Sequence, residues 1–139
     1  MHWIRCLLVL LVVAPLHAAH ADDAAAGAAQ TTIDQQIQAF LNGDDDAAYS
    51  HAGPNIRRMF PTRDAFMAMV RKGYPQVHSP RNYAFGRFEM LAPGRIRQHV
   101  LILGPDGKDY EAVYTLEMQP DGVFRINAVS IREGNIPSI

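Results

Sequence analysis

A carboxylate base beside a phenol donor can remove a proton next to a carbonyl and stabilise the enolate oxygen that forms. The donors for such chemistry are Tyr49, Tyr74, Tyr83, Tyr110 and Tyr114. Acids in useful positions are scarcer. Strand alternation puts Glu89 on one side with Tyr83, Phe85 and Leu91, so it is the single catalytic candidate, and a weak one. Beyond the first 21 residues the histidines are His51, His78 and His99, and their spacing brings no two together. Asp44-Asp45-Asp46 offers three carboxylates, but acids at the start of a helix cap free N–H groups and complement the helix dipole. No histidine or second acidic cluster lies at ligand spacing nearby, so no metal is expected. The chain has no Gly-x-Ser-x-Gly and no phosphate loop, and no cofactor is expected. These counts favour binding over catalysis.

The elements that must position these groups are clearest between 95 and 132. Gly104-Pro105-Asp106-Gly107-Lys108 and Gln119-Pro120-Asp121-Gly122-Val123 each place Pro-Asp-Gly between alternating apolar runs. Proline presets the first turn residue and glycine supplies the left-handed conformation that closes a short hairpin loop. Two such loops tie three strands into an antiparallel meander. Pairing outward from each loop sets Ile102 against Tyr110, Val100 against Ala112, Gln98 against Tyr114 and Ile96 against Leu116. In the second hairpin Met118 meets Phe124, Leu116 meets Ile126 and Tyr114 meets Ala128. A one-residue slip would scatter the apolar set over both faces, so this register is strongly specified. It leaves Leu101, Leu103, Val113, Val129 and Ile131 as an apolar patch on the outer face, of the kind monomers seldom expose. The expected use of that patch is a two-fold homodimer interface.

Before the meander, Tyr83 to Leu91 reads as a further strand, turned by Ala92-Pro93-Gly94. Three helices are expected ahead of it. Thr32 and Gln35 have capping-box spacing, with Ile33, Ile37, Phe40 and Leu41 on one stripe and Gly43 past the end. A second, short helix covers 45–52. After one apolar turn at Ile56, Met59 and Phe60, Thr62 caps a third helix with an inner stripe of Phe66, Met69 and Val70. Gln76 to Arg81 reads as a loop. Helices followed by an antiparallel sheet of about four strands indicate an α+β domain, with the sheet curled around the helical stripes. Tyr49, Met67, Tyr83, Gln98 and Tyr114 are the residues expected to line the resulting cone. They suit a small apolar or anionic ligand.

The N-terminus carries an address. Arg5, the apolar run Leu7 to Leu16 and Ala19-His20-Ala21 have the order of a secretory signal peptide. The run is too short to span a bilayer, so no transmembrane anchor should remain after cleavage near Ala21. The expected compartment is the periplasm or the exterior. The remaining chain has no cysteine, so neither a disulfide nor a thiol nucleophile is available. The expected division is a signal peptide over 1–21, an Ala-rich flexible leader over 22–30, one domain over 31–132 and a tail over 133–139.

Charge is uneven along the chain. Residues 22–54 hold six acids and no Lys or Arg, 55–97 hold nine basic and two acidic residues, and 98–139 hold three basic and six acidic. A basic middle third can meet anionic surface groups of the cell envelope, or it can neutralise the acidic helices beside it. The spread of the arginines over several elements favours neutralisation. Without a compact basic-aromatic patch, nucleic acid is not an expected partner.

Phe66-Met67-Ala68-Met69-Val70-Arg71-Lys72-Gly73-Tyr74, Pro80-Arg81 and Tyr114-Thr115-Leu116-Glu117-Met118-Gln119-Pro120-Asp121-Gly122 together resemble a family of secreted bacterial proteins with a domain of unknown function. The order of helices and then sheet is similar to the wider NTF2-like group. That resemblance implies a cone-shaped α+β roll that frequently dimerises through its sheet. Some members of the group are isomerases, dehydratases or hydrolases, and many only bind ligands or partners, so the resemblance implies a pocket without a reaction.

Overall fold

The computed structural model describes residues 16–134. Five helices precede four strands among these residues: α1 (Leu16–Leu41), α2 (Asp45–Ser50), α3 (Pro54–Met59), α4 (Arg63–Gly73), α5 (Pro75–His78), β1 (Asn82–Ala92), β2 (Arg95–Leu103), β3 (Asp109–Met118) and β4 (Phe124–Glu133). The strands form one open antiparallel sheet in the order β1-β2-β3-β4, with the helices packed against it. The chain is thus an α+β domain of the expected layout. Two short helices, α3 and α5, stand where an apolar turn and a loop were expected. Proline opens both, at a position where its missing N–H costs nothing.

The hairpin registers follow the turns. Gly107 and Gly122 have φ of 79° and 81°, the left-handed conformation each Pro-Asp-Gly loop requires. Ile96, Gln98, Val100 and Ile102 face Leu116, Tyr114, Ala112 and Tyr110, as the alternation dictates. Met118 faces Phe124 and Leu116 faces Ile126. Beyond that point β4 carries a bulge, so Thr115 pairs with Ala128 and Tyr114 with Val129 in place of the expected Ala128. The extra residue inverts the facing of everything after it. Val129 and Ile131 consequently pack against the helix-side core, and the expected outer patch loses both.

A second bulge lies in β1, where the register shifts between Phe85 and Phe88. Phe88 and Met90 therefore join Tyr83 and Phe85 against the core, and Glu89 pairs with Arg97 on the outer face.

α1 departs furthest from expectation. It runs unbroken through 22–30, the segment expected to be a flexible leader, and it begins before the expected cleavage point. Ala26, Ala29, Ile33, Ile37 and Phe40 are all buried and form one continuous stripe. Thr32 is no cap. It sits in mid-helix and donates from Oγ1 to Phe124 O at 2.9 Å, tying α1 to the sheet. Thr62, by contrast, caps α4 as expected, accepting from Ala65 N. Residues 1–15 of the expected signal peptide and 135–139 of the expected tail lie outside the described residues. No described helix is long and apolar enough to cross a membrane.

Candidate functional site

Where the helices stand off β4 the core is incomplete. The parallel bridge between Ala52 and Ile126 fixes the start of α3 to that edge strand. Gly53 N donates to Ile126 O at 2.7 Å, and Ile126 N donates to His51 O at 2.9 Å. The approach is too close for a side chain at residue 53. A Cβ there would overlap Asn127 Oδ1 and lie 3.0 Å from Ile126 O. From this anchor α3 crosses the edge of the sheet, burying Ile56 and leaving Met59 62% exposed.

The space between them is an open-sided cavity of about 230 Å³. Its wall is chiefly apolar: Phe40 from α1, Ile56 from α3, Phe60, and Phe66, Met69 and Val70 from α4. Val77 of α5 and Val129 of β4 also line it, the latter placed there by the bulge. Phe40 and Phe66 stack with centroids 6.3 Å apart. The polar contributions are three amides, Gln36, Asn55 and Asn127, and the phenol of Tyr74, the one candidate donor of the five tyrosines that lines the cavity. Gln36 Nε2 donates to Ala48 O at 3.1 Å, and Asn55 accepts from Arg58 Nη2 at 3.3 Å. No acid, histidine or lysine lines the cavity.

The five residues expected to line a cone lie elsewhere. Tyr49 is nearest, packed against Phe66 at 5.3 Å with its hydroxyl donating to Phe60 O at 2.8 Å. It braces the wall without forming it. Met67 is closed core. Tyr83 bonds Asp34 and Gln38 on the exposed side of α1. Gln98 is fully buried and clasps the β1 bulge: its Nε2 reaches Gly86 O, Arg87 O and His99 O at 3.0, 3.3 and 2.9 Å, while its Oε1 accepts from Gln30. The Tyr114 phenol is buried without a hydrogen-bond partner, and burial pushes its pKa up. The sheet-centre positions were filled by helix α1, which the Ala-rich stretch extends across them. The true cavity lies nearer the β4 edge.

The sequence profile described as Domain of unknown function (DUF4864) matches residues 16–139. The chain belongs to the DUF4864 family. Comparison with curated proteins finds no match. The DUF4864 match takes in α1 from its first described residue, consistent with that helix being part of the domain.

The outer face holds the second group of polar side chains. Glu89 is there, not in the cavity. Its carboxylate lies 3.2 Å from Arg97, 3.6 Å from Arg87 and 3.6 Å from His99 Nε2. His99 Nδ1 is 2.9 Å from Glu111, which also meets Arg132 at 2.6 Å. The hydrogen bond with His99, followed by that with Arg132, holds the Glu111 carboxyl below its ordinary range. Leu101 and Leu103 on β2 and Val113 on β3 remain beside this group. Among the described residues no three metal-ligating side chains converge. The basic middle third is partly neutralised within the fold: Arg63 pairs with Asp46 and Asp64, and Arg71 with Asp45.

Sequence reasoning missed Gln36, Phe40, Asn55, Phe60, Val77 and Asn127 as cavity residues. One signal was present. Gln36 interrupts the apolar stripe between Ile33 and Phe40, and a polar residue on a core-facing stripe needs a partner or a purpose.

Proposed function

We propose that the protein is an exported binding module of NTF2-like type, holding a small, mainly apolar molecule in the cavity between α3, α4 and β4. The observation that carries this reading is the cavity itself, apolar over most of its wall and edged by three amides and the Tyr74 phenol. Such a surface gains by excluding water and uses a few polar groups to orient what it holds. It lacks the acid–base pair that a reaction would need, and Glu89, the one candidate, faces the other side of the sheet. Export rests on the order of Arg5, the apolar run and Ala19-His20-Ala21. Cleavage after Ala21 would leave Asp22 and Asp23 in the first turn of a shortened α1, where acids complement the helix dipole. Native mass spectrometry of protein purified gently from a periplasmic extract tests the reading. A discrete added mass, released on unfolding, is expected. Protein at its bare sequence mass would count against it.

A homodimer through the outer face is compatible with this. Leu101, 36% exposed, adjoins Leu103 and Val113, and the surrounding Glu89, Arg97, Glu111 and Arg132 carry both signs, which a two-fold axis can match. Val113→Arg should then halve the sedimentation mass. A wild type that sediments as a monomer would remove the idea. Attachment to anionic surface groups has weaker support, since Arg63 and Arg71 already face acids of the same chain.

A further inference from the structure

The cavity has a polar group whose orientation is fixed and whose acceptor is unused. Gln36 is only 4% exposed and lines the cavity. Its Nε2 donates to Ala48 O, a buried bond that joins α1 to α2. Reversing the amide would set Oε1 against that carbonyl, two acceptors face to face, so the network determines which atom is oxygen. Oε1 then has no protein donor among the described residues, and it is not sealed from solvent. Oε1 is thus an accessible, unused acceptor on a mainly apolar wall, and a ligand donor is one way to engage it.

Size narrows the ligand further. A closed apolar cavity of about 150 Å³ holds a benzene ring, so about 230 Å³ at the same packing gives room within the walls for about nine non-hydrogen atoms, any larger part of a ligand projecting through the open side. Resting on the binding reading above, we infer that the ligand is a neutral, ring-sized apolar molecule with one O–H or N–H donor, and that Gln36 Oε1 accepts from it. A carboxylate fits poorly. It brings only acceptors to an acceptor, and no cationic side chain lines the cavity.

The test uses 4-ethylphenol and 4-ethyltoluene, which have the same shape and differ in a hydroxyl for a methyl. Both are titrated by NMR into the wild type and into Gln36→Met. The ratio of the two Kd values should move against the phenol by about fivefold to tenfold in the variant, the scale of one net hydrogen bond. The wild type supplies a second readout if the variant folds poorly: the Gln36 side-chain amide resonances should shift further with the phenol than with the toluene at saturation. Binding of both probes with an unchanged ratio, or equal Gln36 amide shifts with the two, would overturn the role of Gln36 and leave the cavity reading intact. Failure of both probes to bind wild type would overturn the cavity reading itself.

Discussion

Replacing Gln98 by Leu removes the clasp on the β1 bulge while keeping side-chain volume nearly constant. Gln98 Nε2 serves Gly86 O and Arg87 O, the two carbonyls that the register shift takes out of regular pairing. Each buried polar group left without a partner costs about 1–3 kcal/mol, and the apolar replacement recovers part of this. Gln30 is only partly buried and can turn its freed amide to water, so its loss adds little. The net expectation is a destabilisation of about 2–4 kcal/mol. With a urea m-value of about 2 kcal/mol/M, the midpoint falls by about 1–2 M at unchanged slope. Gln30→Ala is the control and should cost about 1 kcal/mol or less, since it removes one neutral bond. A Gln98→Leu midpoint indistinguishable from wild type would show that the bulge carbonyls do not depend on this side chain. Gln98 would then not be what holds the β1 bulge and turns Glu89 outward.

Other expectations follow from single groups. Tyr114→Phe removes a buried hydroxyl with no partner, so the urea midpoint should hold or rise; a loss above about 1 kcal/mol would mean the hydroxyl is bonded. Burial raises the Tyr114 pKa, so its contribution is complete below pH 10 and is lost as the pH climbs through the folded value. Tyr114→Phe should therefore flatten the alkaline limb of stability. Glu111 has the opposite sign: its lowered pKa adds stability above the ordinary 4.5 that fades as the pH falls through the folded value. Glu111→Gln should flatten the acid limb of a denaturation profile, and an unchanged limb would remove that linkage. Ala29→Glu places a carboxylate at a fully buried site on α1 and should cost about 3 kcal/mol or more in thermal or urea unfolding. A flexible segment there would tolerate it.

The sheet was legible because its turns are local. Pro-Asp-Gly at 105–107 and 120–122 determines loop length, and loop length determines register. The bulges were not legible, since each depends on partners distant in sequence. Gln98 holds the one in β1, and the tie from β4 to His51 and Gly53 stands beside the one in β4. Each inverted the facing of the strand beyond it, and between them they moved Glu89, Val129 and Ile131 to the opposite side from that expected. α1 was underestimated for another reason. Ala26 and Ala29 carry the helical period, but a methyl group contributes little contrast to an apolar stripe, so the stretch resembled a linker. The candidate site suffered from both errors: Tyr114 and Gln98 are covered by the helix the Ala-rich stretch builds, and Val129 reaches the cavity only through a bulge.

Methionine methyl groups give the most direct test of the cavity as a ligand site. Met59 and Met69 line it, whereas Met67 is closed core and Met90 and Met118 lie on other parts of the sheet. In a carbon-13 methyl spectrum titrated with 4-ethyltoluene, Met59 and Met69 should shift together and saturate. Met67, Met90 and Met118 should stay in place. Shifts absent from Met59 and Met69, or spread evenly over all five, would contradict a ligand site between α3, α4 and β4.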